Sequence, residues 1–111
     1  MSIMSGYKIM WMFVLFDLPV VTKSQRKSAS KFRNDLLNLG FLMHQFSVYI
    51  KRCPGREKVD SLITKINKKL PHNGKVDIIW ITDKQFADSI QIWEGIHTEK
   101  DVKKEENLMI F

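Results

Sequence analysis

Phe41-Leu42-Met43-His44-Gln45-Phe46-Ser47-Val48-Tyr49-Ile50-Lys51-Arg52-Cys53 is the stretch on which the fold turns. It is rich in strand formers and it alternates. Phe46, Val48 and Ile50 share one parity, Ser47 and Tyr49 the other. The run is long for one strand. No Gly or Pro inside it marks a turn, so it reads either as one bent strand or as two. Pro54-Gly55 then breaks it.

Upstream, Ile9-Met10-Trp11-Met12-Phe13-Val14-Leu15-Phe16 is apolar on both parities. That pattern predicts a strand covered on both faces and central in its sheet. It stops at Asp17-Leu18-Pro19, because Pro19 has no N–H for a ladder and holds Leu18 extended. Thr22-Lys23-Ser24-Gln25 has capping-box spacing, so a helix starts near residue 23. Ala29, Phe32, Leu36 and Leu39 fall on one face of it, and Gly40 is placed to end it. Lys23, Arg26, Lys27, Lys31 and Arg33 fan across the opposite face.

Downstream, Val59, Leu62, Ile63, Ile66 and Leu70 recur at helical spacing and predict a second helix over Arg56 to Leu70. Lys65, Lys68 and Lys69 sit near its C-terminal end, where cations suit the helix dipole. Pro71 and Asn73-Gly74 end it and turn the chain. Val76 to Thr82 reads as a strand, Thr82-Asp83-Lys84-Gln85 as the cap of a short helical turn, and Ile90-Gln91-Ile92-Trp93 as a short last strand. The order is that of an α+β two-layer sandwich, helices on one face of a largely antiparallel sheet. If the middle run splits, the first six elements are βαββαβ, the ferredoxin-like pattern, with an extra C-terminal strand. A free sheet face and a surplus strand invite a homodimer. Residues 1–95 read as one domain and 96–111 as a charged tail.

The 111 residues suffice for one modest core. One cysteine, Cys53, excludes an internal disulfide framework and suits a reducing cytoplasm. The longest apolar run is followed by Asp-Leu-Pro, not by a small-residue cleavage site, and is far too short to span a bilayer. The chain therefore reads as soluble and cytoplasmic, with no membrane partner. Its net charge of +6 is uneven. Residues 1–75 carry 14 Lys and Arg against 4 Asp and Glu; residues 76–111 carry 4 against 8. A basic surface in the first two-thirds points to an anionic partner.

Asp17 is the residue with most chemical content. A carboxylate ending a core strand is partly desolvated and wants a cation, donors or a metal; the plainer reading is a turn cap. A single Asp holds Mg²⁺ poorly, but two copies facing each other across a two-fold axis would supply two carboxylates. The helix stripe, with Lys51, Arg52 and Arg56 around the Pro54-Gly55 break, is suited to phosphates. Binding of that kind is salt-sensitive and tolerant of sequence. His44, His72, His97 and Cys53 lack metal-ligand spacing, Ser47 lacks an acid–base set, and Cys53 reads as incidental.

Phe16-Asp17-Leu18-Pro19, Arg26-Lys27, Lys31-Phe32-Arg33, Leu37 to Gly40, and Asn73-Gly74 through Ile81-Thr82-Asp83-Lys84-Gln85-Phe86 resemble the CRISPR-associated Cas-two family. Gly40-Phe41-Leu42-Met43-His44-Gln45-Phe46-Ser47-Val48-Tyr49 is similar to the form accompanying type II (Cas-nine) systems. The resemblance spans about residues 9–95. It implies a ferredoxin-like homodimer, with the middle run split near Gln45–Ser47 and the last strand completing the partner's sheet. Asp17 would be the catalytic acid and the ligand of Mg²⁺ (or Mn²⁺) in an endonuclease of RNA or DNA. It also implies a bridging role between Cas-one integrase dimers during spacer acquisition, with Lys23, Arg26, Lys27, Lys31, Arg33, Lys51, Arg52 and Arg56 along double-stranded DNA. Bridging with weak metal-dependent cleavage is the first expectation. The alternatives are a nuclease as the main role and an unrelated ferredoxin-like RNA-binding module.

Overall fold

A computed structural model describes residues 8–89 and residue 92. The elements run β1 (Met10–Asp17), α1 (Lys23–Asn38), β2 (Leu42–Gln45), β3 (Val48–Cys53), α2 (Arg56–Asn67), β4 (Lys75–Thr82) and α3 (Asp83–Ala87). The middle run is two strands, and the order of the first six elements is βαββαβ. All pairings are antiparallel, in the sheet order β2-β3-β1-β4. The second helix stops at Asn67, three residues before its expected end. The expected strand at Ile90–Trp93, apart from residue 92, and the tail 96–111 lie outside the described residues.

The split of the middle run comes from tertiary contacts. Phe46 and Ser47 form a two-residue turn, and the β2–β3 register shifts between Met43 and Gln45. The Phe16 N–H donates to the Ser47 carbonyl at 3.1 Å, which ties the turn to the end of the central strand.

β1 alternates cleanly. Met12, Val14 and Phe16 are buried against the helices, with Phe32 and Leu36 of α1, Tyr49 and Cys53 of β3, and Val59, Leu62 and Ile66 of α2. Phe16 packs edge-to-face on Phe32 at 5.3 Å between centroids. Trp11, Phe13 and Leu15 point the other way and are only half-buried. The expectation of a central strand is met. The expectation of full cover on both faces is corrected: among the described residues, only α3 lies on the second face. Phe86 of α3 stacks on Trp11 at 4.1 Å and meets Phe13 at 5.9 Å. The Trp11 indole N–H donates to the Asp83 carboxylate at 2.6 Å. The rest of that face, including Ile50, Ile79 and Leu42, is left open, and Ile79 is 49% exposed.

Both capping boxes form. The Thr22 hydroxyl accepts from the Gln25 N–H at 3.1 Å while the Gln25 side chain accepts from the Thr22 N–H at 3.0 Å; Thr82 and Gln85 repeat the arrangement on α3. α1 ends in a Schellman motif. The Phe41 N–H donates to the Leu36 carbonyl and the Gly40 N–H to the Leu37 carbonyl, both at 3.0 Å, with Gly40 at φ 95°. Phe41 is thereby delivered into the core.

That left-handed turn is a point of fragility. Gly40→Ala is expected to destabilise the fold by about 1–2 kcal/mol, and Gly40→Asn by less, because Asn tolerates the conformation better. Urea unfolding checks this; equal stability of the alanine variant and the parent contradicts it.

Candidate nucleic-acid interface at the end of the first strand

Three connections meet at the C-terminal end of β1. The β1–α1 loop leaves from Asp17. The β2–β3 turn is held there by the Phe16–Ser47 hydrogen bond, and β4 begins there with Lys75 opposite Asp17. Asn73 at φ 61° turns the α2–β4 loop back towards the sheet. Gly74 passes so close to Leu18 that a Cβ there would run into the leucine side chain.

Asp17 stands on the open face and is exposed. The expected partial desolvation is corrected: Asp17 sits one rung past the covered part of the strand. Its carboxylate makes no ion pair among the described residues, since Lys75 pairs with Asp77 at 3.6 Å. No group of three or more His, Cys, Asp or Glu comes together among the described residues. At this corner, among the described residues, Asp17 is thus the carboxylate left unpaired, since Asp77, opposite Leu15 on the same face and also exposed, is held by Lys75. That suits a hard divalent ion whose other ligands are water, phosphate or a second copy of the same acid.

The eight expected basic residues do not form one surface. Lys23, Lys27 and Lys31 recur every fourth residue along one flank of α1 and are exposed. Lys31 pairs with Asp35 at 2.9 Å. Arg26 turns to the other flank and donates to the Val20 and Val21 carbonyls at 3.3 and 2.8 Å, bracing the β1–α1 loop. Arg33 lies between two rings, 5.6 Å from the Phe16 centroid and 4.7 Å from that of Phe46, and its Nε is buried with no hydrogen-bond partner.

Lys51, Arg52 and Arg56 lie at the opposite end of the sheet. Lys51 is opposite Met12 and Arg52 opposite Trp11 in the β1–β3 register, five and six rungs from Asp17, which is roughly 17–20 Å. The Lys51 ammonium group reaches the end of α1 beside Gly40. Arg56 covers the Trp80 ring at 4.4 Å and pairs with Asp60 at 2.9 Å. The cations that do join the α1 row are Lys68 and Lys69, which share a cleft with Lys31. Their sequence signal was a basic cluster just before Pro71, accounted for by the helix dipole alone.

With this geometry in place, comparison with known proteins is decisive. The family model for "CRISPR associated protein Cas2" matches residues 10–89, from β1 to just past α3. The chain belongs to the Cas2 family. A protein of Paracidovorax avenae named CRISPR-associated endoribonuclease Cas2 is 51% identical over 87 residues, 78% of this chain and 81% of the relative. One of the same name from Flavobacterium psychrophilum is 39% identical over 108 residues, 97% of this chain and 93% of its own length. A crystal structure of Cas2 superposes with a TM-score of 0.55 at 16% identity, over 82% of this chain and 95% of that one, which supports the α+β fold. The stretch matched by the family model holds Asp17 and all eight of the expected basic residues. No helix among the described residues is long and apolar enough to cross a membrane.

Cys53 belongs to the core and is fully buried. Burial pushes its thiol above the ordinary value of 9.0, against a weaker opposing pull from the Lys51 and Lys58 ammonium groups. The folded thiol therefore stays protonated where the unfolded one ionises. This contribution to stability is complete below the unfolded value and is lost as pH climbs from there through the folded value. Cys53→Ala is expected to flatten the fall of stability above pH 9, as read by urea unfolding across a pH series; an unchanged fall assigns it to other groups.

Proposed function

We propose that this chain acts in CRISPR spacer acquisition, in a system of type II form, as a homodimer that holds double-stranded DNA by its backbone and bridges dimers of the Cas-one integrase. The observation that carries this reading is the combination at one end of the sheet. A basic α1 row starts beside an exposed, unpaired carboxylate, Asp17, on a face whose apolar remainder asks for cover. Phosphate contacts from lysines position a duplex without reading its bases, which fits a scaffold for incoming DNA of any sequence. The open face, with Phe13, Leu15, Ile50 and Ile79, is the natural seat of the second copy, and the strand expected at Ile90–Trp93 would extend the partner's sheet.

Metal-dependent cleavage is the second reading, favoured by the accessibility of Asp17 and by the relatives named endoribonuclease. Asp17 from each of two copies would hold Mg²⁺ or Mn²⁺. Bound there, the ion would supply charge for a phosphodiester oxygen and a more acidic water. The residues of the chain itself would position the RNA or DNA backbone beside it. With one carboxylate from each copy as the assigned chemistry, turnover is expected to be slow. Like the rest of this reading, the cytoplasm is the expected location.

Spacer integration reconstituted with the integrase encoded alongside tests the order of the two readings. Asp17→Ala is expected to keep integration and to lose any Mg²⁺-dependent cleavage of RNA or DNA. Loss of integration with the dimer intact would place the chemistry first. Ile79→Glu is expected to shift the protein from dimer to monomer in light scattering and to abolish integration. A dimer that persists in this variant moves the interface elsewhere.

A further inference from the structure

We propose that the cleft between α1 and the end of α2 is a second phosphate subsite, continuing the nucleic-acid track from the Asp17 end onto the helical layer. This rests on the reading of the chain as a nucleic-acid binder. The cleft has a volume of about 330 Å³; Ser28, Lys31 and Asp35 form one wall, and Lys68, Lys69 and His72 the other. Its one carboxylate, Asp35, is already neutralised by Lys31 at 2.9 Å. Lys68 and Lys69 make no ion pair among the described residues.

The terminal carbonyls of α2 oppose an anion with about half a charge. Lys65, Lys68 and Lys69 at that same end exceed it several-fold, so the local field favours a negative ligand. On the facing wall Lys31 is the lining cation, and Lys27 and Lys23 continue from it along the exposed side of α1 in steps of four residues, about 6 Å each along the helix. A repeating cation row serves a polyanion better than a single free ion. A second cleft of about 260 Å³ shares Ser28 and His72 with the first and continues between Leu18, Pro19 and Gln25 to the β1–α1 loop. The two clefts adjoin at Ser28, Pro71 and His72, and the second reaches Leu18 and Pro19 of the loop that leaves from Asp17.

The lining also favours a phosphate backbone over an acidic protein segment. The first cleft is mainly polar and lined by Lys31, Lys68 and Lys69, whereas the second, with Leu18, Pro19, Ala29 and Pro71, is mainly apolar. The acidic end of this chain, Glu105-Glu106, carries the apolar Leu108-Met109-Ile110-Phe111, which would find little apolar seat among the lysines of the first cleft.

Lys68→Glu combined with Lys69→Glu tests the subsite in the full-length protein. The probe is a labelled DNA duplex of mixed sequence, titrated at several salt concentrations, with Lys84→Glu on α3 as control. Loss of two phosphate contacts is expected to weaken binding at least tenfold in low salt and to reduce the slope of log affinity against log salt by about 2. The Lys84→Glu control is expected to keep the parent slope. Both lysines are exposed, and circular dichroism with the urea midpoint verifies folding. A parent-like slope in the double variant overturns the subsite. A synthetic peptide of residues 94–111 that binds the parent and not the double variant, with DNA binding unchanged, overturns it in favour of a protein ligand. A parent protein that binds no duplex at all refutes the underlying nucleic-acid reading instead.

Discussion

The alternation of side chains along β1 is the constraint on which the rest of the molecule depends. Even positions Met12, Val14 and Phe16 anchor both helices. Odd positions Trp11, Phe13, Leu15 and Asp17 build the opposite face. A strand has a period of two, so one choice of parity settles both. A carboxylate two residues beyond Leu15 cannot enter the core, and the aromatic residues that precede it cannot leave the open face. Apolarity on both parities is thus the mark of a strand with two separate packing duties, only one of which is met in full among the described residues.

Local chemistry accounts for how much of this was legible in the sequence. Thr22 and Gln25 announce the start of α1 by reciprocal hydrogen bonds, Gly40 announces its end, and Thr82 and Gln85 do the same for α3; each signal lies within a few residues of its partner. The β2–β3 turn at Phe46–Ser47 gives no such signal. What bends the chain there is remote: the Phe16 N–H on the Ser47 carbonyl, and the Arg33 guanidinium on the Phe46 ring. Neither Gly nor an Asn-Gly pair was needed, so composition left one strand and two strands equally open. The short cover over Trp11 and Phe13 is remote in the same way, coming from Asp83 and Phe86.

The basic residues show the same limit. Helical periodicity groups Lys23, Lys27 and Lys31 correctly, because it is a rule about one helix. It places Arg26 and Arg33 with them too, yet these turn to the other flank, where a pair of carbonyls and a pair of rings hold them. Proximity in sequence joined Lys51, Arg52 and Arg56 to the same surface, and the antiparallel register carries them to the far end. Asp17 itself was found from its position after an apolar strand. Its exposure was not, since desolvation depends on what lies across the sheet.

The gathering of three connections around Asp17 has a kinetic consequence. Asp17 and Lys75 are neighbours in the sheet but lie 58 residues apart in the chain. Pairing across such a separation is entropically demanding and tends to be slow. α1, by contrast, is local and has its own caps, so its cations can be displayed before the acid acquires its surroundings. A chain caught midway would carry a basic, unpartnered helix without the folded corner around Asp17. Rapid closure of β4 onto β1 therefore sets how long a basic helix stands exposed before the sheet corner around Asp17 is complete.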